Sequence, residues 1–323
     1  MNPMTFKGVD FWPHERKFPI MPFRRSAVPV SMVAFVAAVI MLVTNGLNFG
    51  IDFKGGSLFE IQSKSGPVDV AQMRSDLGAL GLGDVQIQSL DTPRDALIRI
   101  EEQPATDTLS SEQAQQAAAA KVAAALTDNI EIRRSEVVGP AVSNELKQAG
   151  LIAVVSAIIG ILLYIWFRFE WQFGIAAILA LVHDIVITLG VFSLLGITFG
   201  LTEVAALLTL AGYSINDTVV VFDRVRENLR RYKKMPLPDL MNLSINETLS
   251  RTVVTSGTTF AAVLAIYIFG TEVIQGFAFA MMFGILIGTW SSVFVASPFL
   301  LWVGVKRDWS KDAASGTTQA AKA

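Results

Sequence analysis

The chain has no cysteine and only two histidines, His14 and His183, in 323 residues. The first absence excludes disulfides, thiolate metal sites and thiol nucleophiles, and the second excludes a histidine-rich metal site. Charge is scarce too. Asp, Glu, Lys and Arg make up 17% of the residues, and a net charge of −2 gives no reason to expect a nucleic-acid partner. What is abundant is apolar surface: 52% of the residues are hydrophobic, with a mean hydropathy of +0.49. That composition excludes an ordinary water-soluble domain and fits a polytopic membrane protein. No metal or cofactor is expected.

Six apolar runs are long enough to cross roughly 30 Å of hydrocarbon: 27–46, 150–167, 173–195, 201–222, 252–270 and 273–304. The first follows Arg24 and Arg25, lacks a small-residue cleavage site and is too long for a signal sequence, so it reads as an anchor. Lys and Arg then set the orientation. Residues 1–26, Arg168, the run Arg224 to Lys234, and Lys306 with Arg307 all fall on one side of six spans, whereas LGITFG and GTE contain neither residue type. Both termini are therefore expected in the cytoplasm, and the stretch 47–148 outside it. The tail 306–323 is small, polar and without pattern, and is expected to be disordered.

The stretch 47–148 alternates as half-buried strands do at LFEIQS, DVQIQSL, ALIRIEE and IEIRRSEVV. Helical patterns lie after the first and third strands. Their starts carry capping-box spacing at Asp69 and Gln72, and at Ser110 and Gln113. The order βαββαβ predicts a ferredoxin-like unit. Without histidine or clustered carboxylates, it reads as a binding or mechanical module.

Polar residues inside the spans are the candidates for function, because a charge at mid-bilayer costs about 2.5–3.5 kcal/mol on insertion scales. Asp217 is the foremost. Tyr213 and Ser214 lie on its helix face, whereas Asn216, adjacent to it, points elsewhere. It is either a buried structural acid or a carboxyl group that takes up and releases protons. Arg251 opens the fifth span, where Thr252, Thr255, Ser256 and Thr259 continue a hydrophilic stripe. It either snorkels to the surface or forms a switching ion pair with Asp217. His183 and Asp184 sit near the centre of the third span. Being adjacent they do not share a face, so they need not act as a pair, and each has a structural and a functional reading. Asp223 reads as an interfacial charge, and Glu203 as a surface one. Enzyme readings find little support: Ser214 lacks a Gly-x-Ser-x-Gly elbow, and Asp184 with Asp217 lacks the Gly-x-Gly-Asp pattern of a membrane aspartyl protease.

The motifs GIDFKGGSLFEI at 50–61, VVGPAVSNEL at 137–146, LVHDIVITLG at 181–190, GYSINDTVVVFDRVREN at 212–228 and SRTVVTSGTTF at 250–260 together resemble the SecF family. That family is a branch of the resistance-nodulation-division superfamily of proton-driven membrane machines. The resemblance spans about residues 25 to 305. It implies a subunit paired with SecD at the SecYEG channel, with SecA, YajC and YidC as associated components and a translocating preprotein as client. It implies residence in the inner membrane and a late step of export, after the ATP-driven step, powered by the proton-motive force rather than by a cofactor. Carried over to this sequence, it makes Asp217 the intramembrane acid and Arg251 its basic companion. Gly55 and Gly56, with Gly139 and Pro140, would join the outer module to spans one and two. The basic run after Asp217 would face cytoplasmic partners or lipid headgroups. The rival readings are half of a small-molecule exporter, disfavoured by the small outer module, and a clamp that holds SecD to the channel.

Overall fold

The computed structural model describes residues 18–305 apart from positions 84, 91, 107, 127 and 128. His14, the rest of the expected N-terminal segment up to position 17, and the expected disordered tail from 306 lie outside the described residues. The elements run α1 Arg24–Thr44, β1 Asn48–Phe49, α2 Ile51–Lys54, β2 Gly56–Ser63, α3 Val70–Gly78, β3 Val85–Ser89, β4 Asp95–Ile100, α4 Ser111–Ala125 and β5 Ile130–Val138. They continue with α5 Pro140–Arg168, α6 Trp171–Leu195, β6 Thr198–Phe199, α7 Leu201–Arg231, α8 Leu237–Phe269, α9 Glu272–Ser291 and α10 Ser297–Val303. A π-helical stretch, Ser292–Ala296, joins the last two. The chain divides into two compact units. One comprises Leu47–Ala157 and Gly196–Val204, and the other the described remainder.

The first of these units contains the expected βαββαβ order. Its sheet runs β3-β4-β2-β5, every neighbour antiparallel, with the first and third strands of the unit at the centre. Ser57, Phe59, Ile61 and Ser63 of β2, and Ala96, Ile98 and Ile100 of β4, point inward. They meet Met73 and Leu77 of α3 and Ala118, Ala119 and Val122 of α4. The alanine run thus supplies a close-fitting apolar face. Ser110 and Gln113 cap α4 reciprocally. The equivalent expectation for α3 needs correction. Asp69 accepts from the backbone N–H groups of Ala71 and Gln72, but the Gln72 side chain bonds Asp76 one turn on rather than reaching back.

Two short pieces of this unit escaped the sequence pattern. β1 pairs in parallel with β6, across some 150 residues of chain. The turn α2 places Asp52 so that its Oδ2 accepts from the N–H of Leu201 at 2.9 Å, while Glu203 Oε2 accepts from Gly200 at 2.7 Å. These two carboxylates satisfy orphan donors at the start of α7. Glu203 is therefore buried, at 7% exposure, and not the surface charge its position in the sequence implied. Gly55 and Gly56 follow with φ of 74° and 117°, and a Cβ on Gly56 would lie 2.3 Å from the Ile100 carbonyl oxygen. Only glycine fits there.

Among the described residues, six helices are long and apolar enough to span a membrane. They run past the limits that hydropathy set. α5 starts at Pro140, leaving Gly139 alone between it and β5, where the second span was expected from 150. α7 continues to Arg231, and α8 begins at Leu237 where the fifth span was expected at 252. The extra turns are polar but well partnered. Buried Asn228 donates to Ser244 and Glu247, and Arg224 pairs with Glu247. Leu229, Leu240, Met241 and Ile245 close the contact beneath them. Where helices meet, small residues set the spacing: a Cβ on Gly190 would lie 2.4 Å from that of Ala38, and one on Gly284 2.3 Å from the Leu210 side chain.

Candidate functional site

The interior of the helical unit contains two carboxylates, Asp184 on α6 at 0% exposure and Asp217 on α7 at 5%. Burying a carboxyl group in a membrane protein is tolerable only if its oxygens are served by fixed donors. Each acid is served differently.

Asp184 is saturated. Its Oδ2 accepts from Ser214 at 2.6 Å and Ser291 at 2.7 Å, and its Oδ1 lies 2.9 Å from His183 Nδ1. His183 and Asp184 are thus in contact, although adjacency in the sequence did not require it. Their side chains leave the helix about 100° apart, but the imidazole is long enough to swing back over the short carboxylate. Phe35 stacks on the imidazole at 6.3 Å with an interplanar angle of 7°. The other ring nitrogen, Nε2, is buried without a hydrogen-bond partner among the described residues. Ser214, Asp184 and His183 are thus in line, but the acid and not the histidine stands in the middle. A nucleophilic triad needs the base beside the serine, so this arrangement does not activate Ser214.

Asp217 is held by hydroxyls alone. Thr252 on α8 donates to Oδ1 at 2.8 Å, and Ser292, the first residue of the π-helical stretch, donates to Oδ2 at 3.4 Å. Arg251 is exposed and makes no hydrogen bond to Asp217 among the described residues, although its charge acts on that carboxylate. Its neighbour Thr252 makes the contact instead. Asn216 is exposed as well. Tyr213 donates to Ser256 at 3.2 Å, and Ser256 bonds Thr289 of α9 at 2.8 Å. Thr255 lies off this face and bonds back to its own helix at Arg251 and Thr252. Asp223 forms an exposed pair with Arg168.

The structure thus brings Asp184, His183 and Ser214 together, and separately Asp217 with Thr252 and Tyr213 with Ser256. It leaves Asn216, Arg251 and Thr255 outside both groups. Sequence reasoning missed Ser291, Ser292 and Thr289. Ser291 and Ser292 are consecutive, yet one serves Asp184 and the other Asp217, because the helix widens from α to π at that point. The Ser297 hydroxyl donates to the Ser292 carbonyl at 2.9 Å, adding a side-chain bond across the π-helical stretch. The available signal was a pair of serines in the middle of an apolar run too long for one straight span. Gly288 allows the close approach, since a Cβ there would lie 3.2 Å from Ser214 Cβ. Among the described residues no group of three or more His, Asp or Glu side chains could hold a metal ion.

Comparison with known proteins agrees in one direction. Residues 118–306 match the family described as protein export membrane protein SecD/SecF, C-terminal, and residues 40–66 match the SecD/SecF GG motif. The protein translocase subunit SecF of Cereibacter sphaeroides is 48% identical over 89% of this chain and 90% of its own length. The protein translocase subunit SecDF of Brucella abortus is 42% identical over 89% of this chain, which spans 37% of that longer protein. The crystal structure of SecDF, a translocon-associated membrane protein from Thermus thermophilus, superposes with a TM-score of 0.79 at 36% identity. That match covers 90% of this chain and 39% of that one.

Proposed function

The chain belongs to the SecD/SecF family of protein export membrane proteins, and from that premise we propose that it is the SecF-side subunit of a proton-driven export motor, with Asp217 as the group that carries the proton. It pairs with a SecD protein, as the fused relatives combine both halves in one chain. Together they assist the SecYEG channel after the SecA-driven step, with YajC and YidC as further associates. The termini lie in the cytoplasm, and residues 47–148 lie in the periplasm, where they meet the emerging preprotein.

The observation that carries this reading is the donor set of Asp217. A hydroxyl can donate to a carboxylate or accept from a carboxylic acid, so Thr252 and Ser292 can serve Asp217 in both protonation states. A salt bridge could serve only one. Arg251, one residue before Thr252, acts on Asp217 through its charge without a hydrogen bond, and with exposed Asn216 it presents polar groups to a partner chain on the face of α7 and α8. Asp184 and His183 form the second member of the relay, joined to the first through consecutive serines. A proton crossing a membrane potential supplies about 2.3 kcal/mol per 100 mV, enough to bias a two-state helix arrangement. Gly55 and Gly56, with Gly139 and Pro140 beside them at the same end of the sheet where Gly56 pairs with Val138, pass that change to residues 47–148.

The test is pulse-labelled export of a secretory precursor in cells whose sole copy carries Asp217→Asn, with assembly with SecD verified. Asparagine still accepts from Thr252 but cannot carry a proton. We expect export to fall to the rate of cells lacking the protein while the complex stays intact. Normal export would reduce the chain to a clamp for SecD.

A further inference from the structure

Between α1, α6 and α10 lies a groove of about 640 Å³ that the relay does not use. Its body is apolar, lined by Met32 of α1, Leu179 of α6 and Phe299 of α10, among others. At one end stand Arg24 and Arg25, with Trp302 beside them at 83% exposure. Arg24 donates to the Met21 carbonyl, and neither arginine is paired with a carboxylate among the described residues. The other end is closed by Phe35 stacked on His183.

We propose that this groove holds one anionic phospholipid, its headgroup on Arg24 and Arg25 and an acyl chain along the apolar floor. Length is the first argument. From Arg25 to Phe35 the helix rises about 15 Å at roughly 1.5 Å per residue, which is half of a hydrocarbon core of about 30 Å. The groove is thus as deep as one leaflet and ends where that leaflet's chains end. Charge is the second. Two guanidiniums without a carboxylate partner among the described residues, at the mouth of an apolar channel, match a phosphate on an alkyl chain, and a guanidinium binds phosphate through paired N–H donors. The third is the exposed tryptophan at the same level, the residue type that sits among headgroups. A partner helix would instead need a counter-charge at Arg24 and Arg25 and small residues against Met32, which is itself 60% exposed.

The inference rests on the spanning of the helices and not on the proton reading. It is tested on the full chain purified with SecD and reconstituted in zwitterionic lipid. Phosphatidylglycerol with a photoreactive group on its acyl chain is titrated in, and the labelled peptides are mapped. Labelling is expected on α1, α6 and α10 around Met32, Leu179 and Phe299. The double variant Arg24→Gln, Arg25→Gln should weaken it about 30-fold, at about 1 kcal/mol for each basic residue. Leu179→Trp, which fills the channel, should remove it with both arginines in place. Equal labelling by the phosphatidylcholine analogue, indifference to the double variant, or cross-linking of these residues to a polypeptide segment would each overturn the proposal. The outcome is read from lipid labelling, so it stands or falls separately from the export phenotype of Asp217→Asn.

Discussion

The sheet unit and the helical unit both bury apolar side chains, but the helical unit sets two carboxylates, Asp184 and Asp217, among them. In the sheet unit the centre is apolar: Phe59, Ile61, Ile98, Ile100 and Val122 are all at 0% or 1% exposure. A buried side-chain bond from Gln115 to Ser57 at 2.7 Å stitches α4 to β2. In the helical unit a polar cluster, with Asp184, Ser214, Ser291 and Ser292 at 0% or 1%, is set among apolar residues buried as deeply, such as Phe173, Phe222 and Leu240. The difference follows from the solvent. Water drives apolar groups together in the first case. Lipid is as apolar as leucine, so helices in the second case gain little from apolar contact and rely on close packing and hydrogen bonds instead. Polar residues in the bundle are therefore part of what holds it together.

Substitutions on each side should break this contrast in different ways. The largest loss is expected from Asp184→Leu, which puts a larger apolar side chain in place of the carboxylate and strands His183 Nδ1 and the hydroxyls of Ser214 and Ser291. At about 1–3 kcal/mol for each unsatisfied buried group, roughly 5 kcal/mol should disappear, read as failure of the purified complex to survive mild heating. If the variant were as stable as the parent, the polar centre would not be what secures the bundle. Ile98→Ala in the sheet unit should cost about 3 kcal/mol through lost burial and the cavity left behind. Hydrogen exchange on the full chain should then speed up in β2 to β5 and stay unchanged in α6 to α9.

A smaller effect, about 1–3 kcal/mol, is expected from Gly190→Ala, whose new methyl would collide with Ala38. The same alanine at Gly212, which has open space around it, should cost nothing, so a thermal-shift pair separates packing from composition. The smallest effect concerns Asp95. The Thr92 hydroxyl, and after it the Gln62 amide, hold its carboxyl below the ordinary range. A lowered folded value means that its stabilisation is present above the unfolded pKa and is lost as the pH falls through the folded one. Asp95→Asn should therefore cost less than about 1 kcal/mol near neutral pH and nothing in strong acid, measured as local exchange at the β3–β4 turn across pH. Equal loss at both extremes would show that shape and not charge matters there.

How much of this was legible differs between the units for the same reason. In the sheet unit, alternation at Phe59 and Ile61 and the spacing of Ser110 and Gln113 are local signals, and they located all four strands and both helices. What they left out was Asp52 reaching Leu201 and β1 finding β6, both contacts between residues far apart in sequence. In the bundle, hydropathy counted six spans and picked out Asp184, Asp217 and their neighbours, because a carboxylate in an apolar run is conspicuous whatever surrounds it. It could not pair them. That depended on which helix stands next to which.

By itself, then, the sequence determined the membrane class, the six spans, the βαββαβ order and the identity of the intramembrane acids. Each of these is encoded in periodicity or in a local excess or absence of charge. Only the tertiary structure decided that His183 turns back onto Asp184, that Thr252 and not Arg251 bonds Asp217, and that Ser291 and Ser292 divide between the two acids across a widened turn. Those choices turn on ångström-scale placement of helices against one another. Helix periodicity places a residue on a face, but the neighbouring helix decides what that face meets.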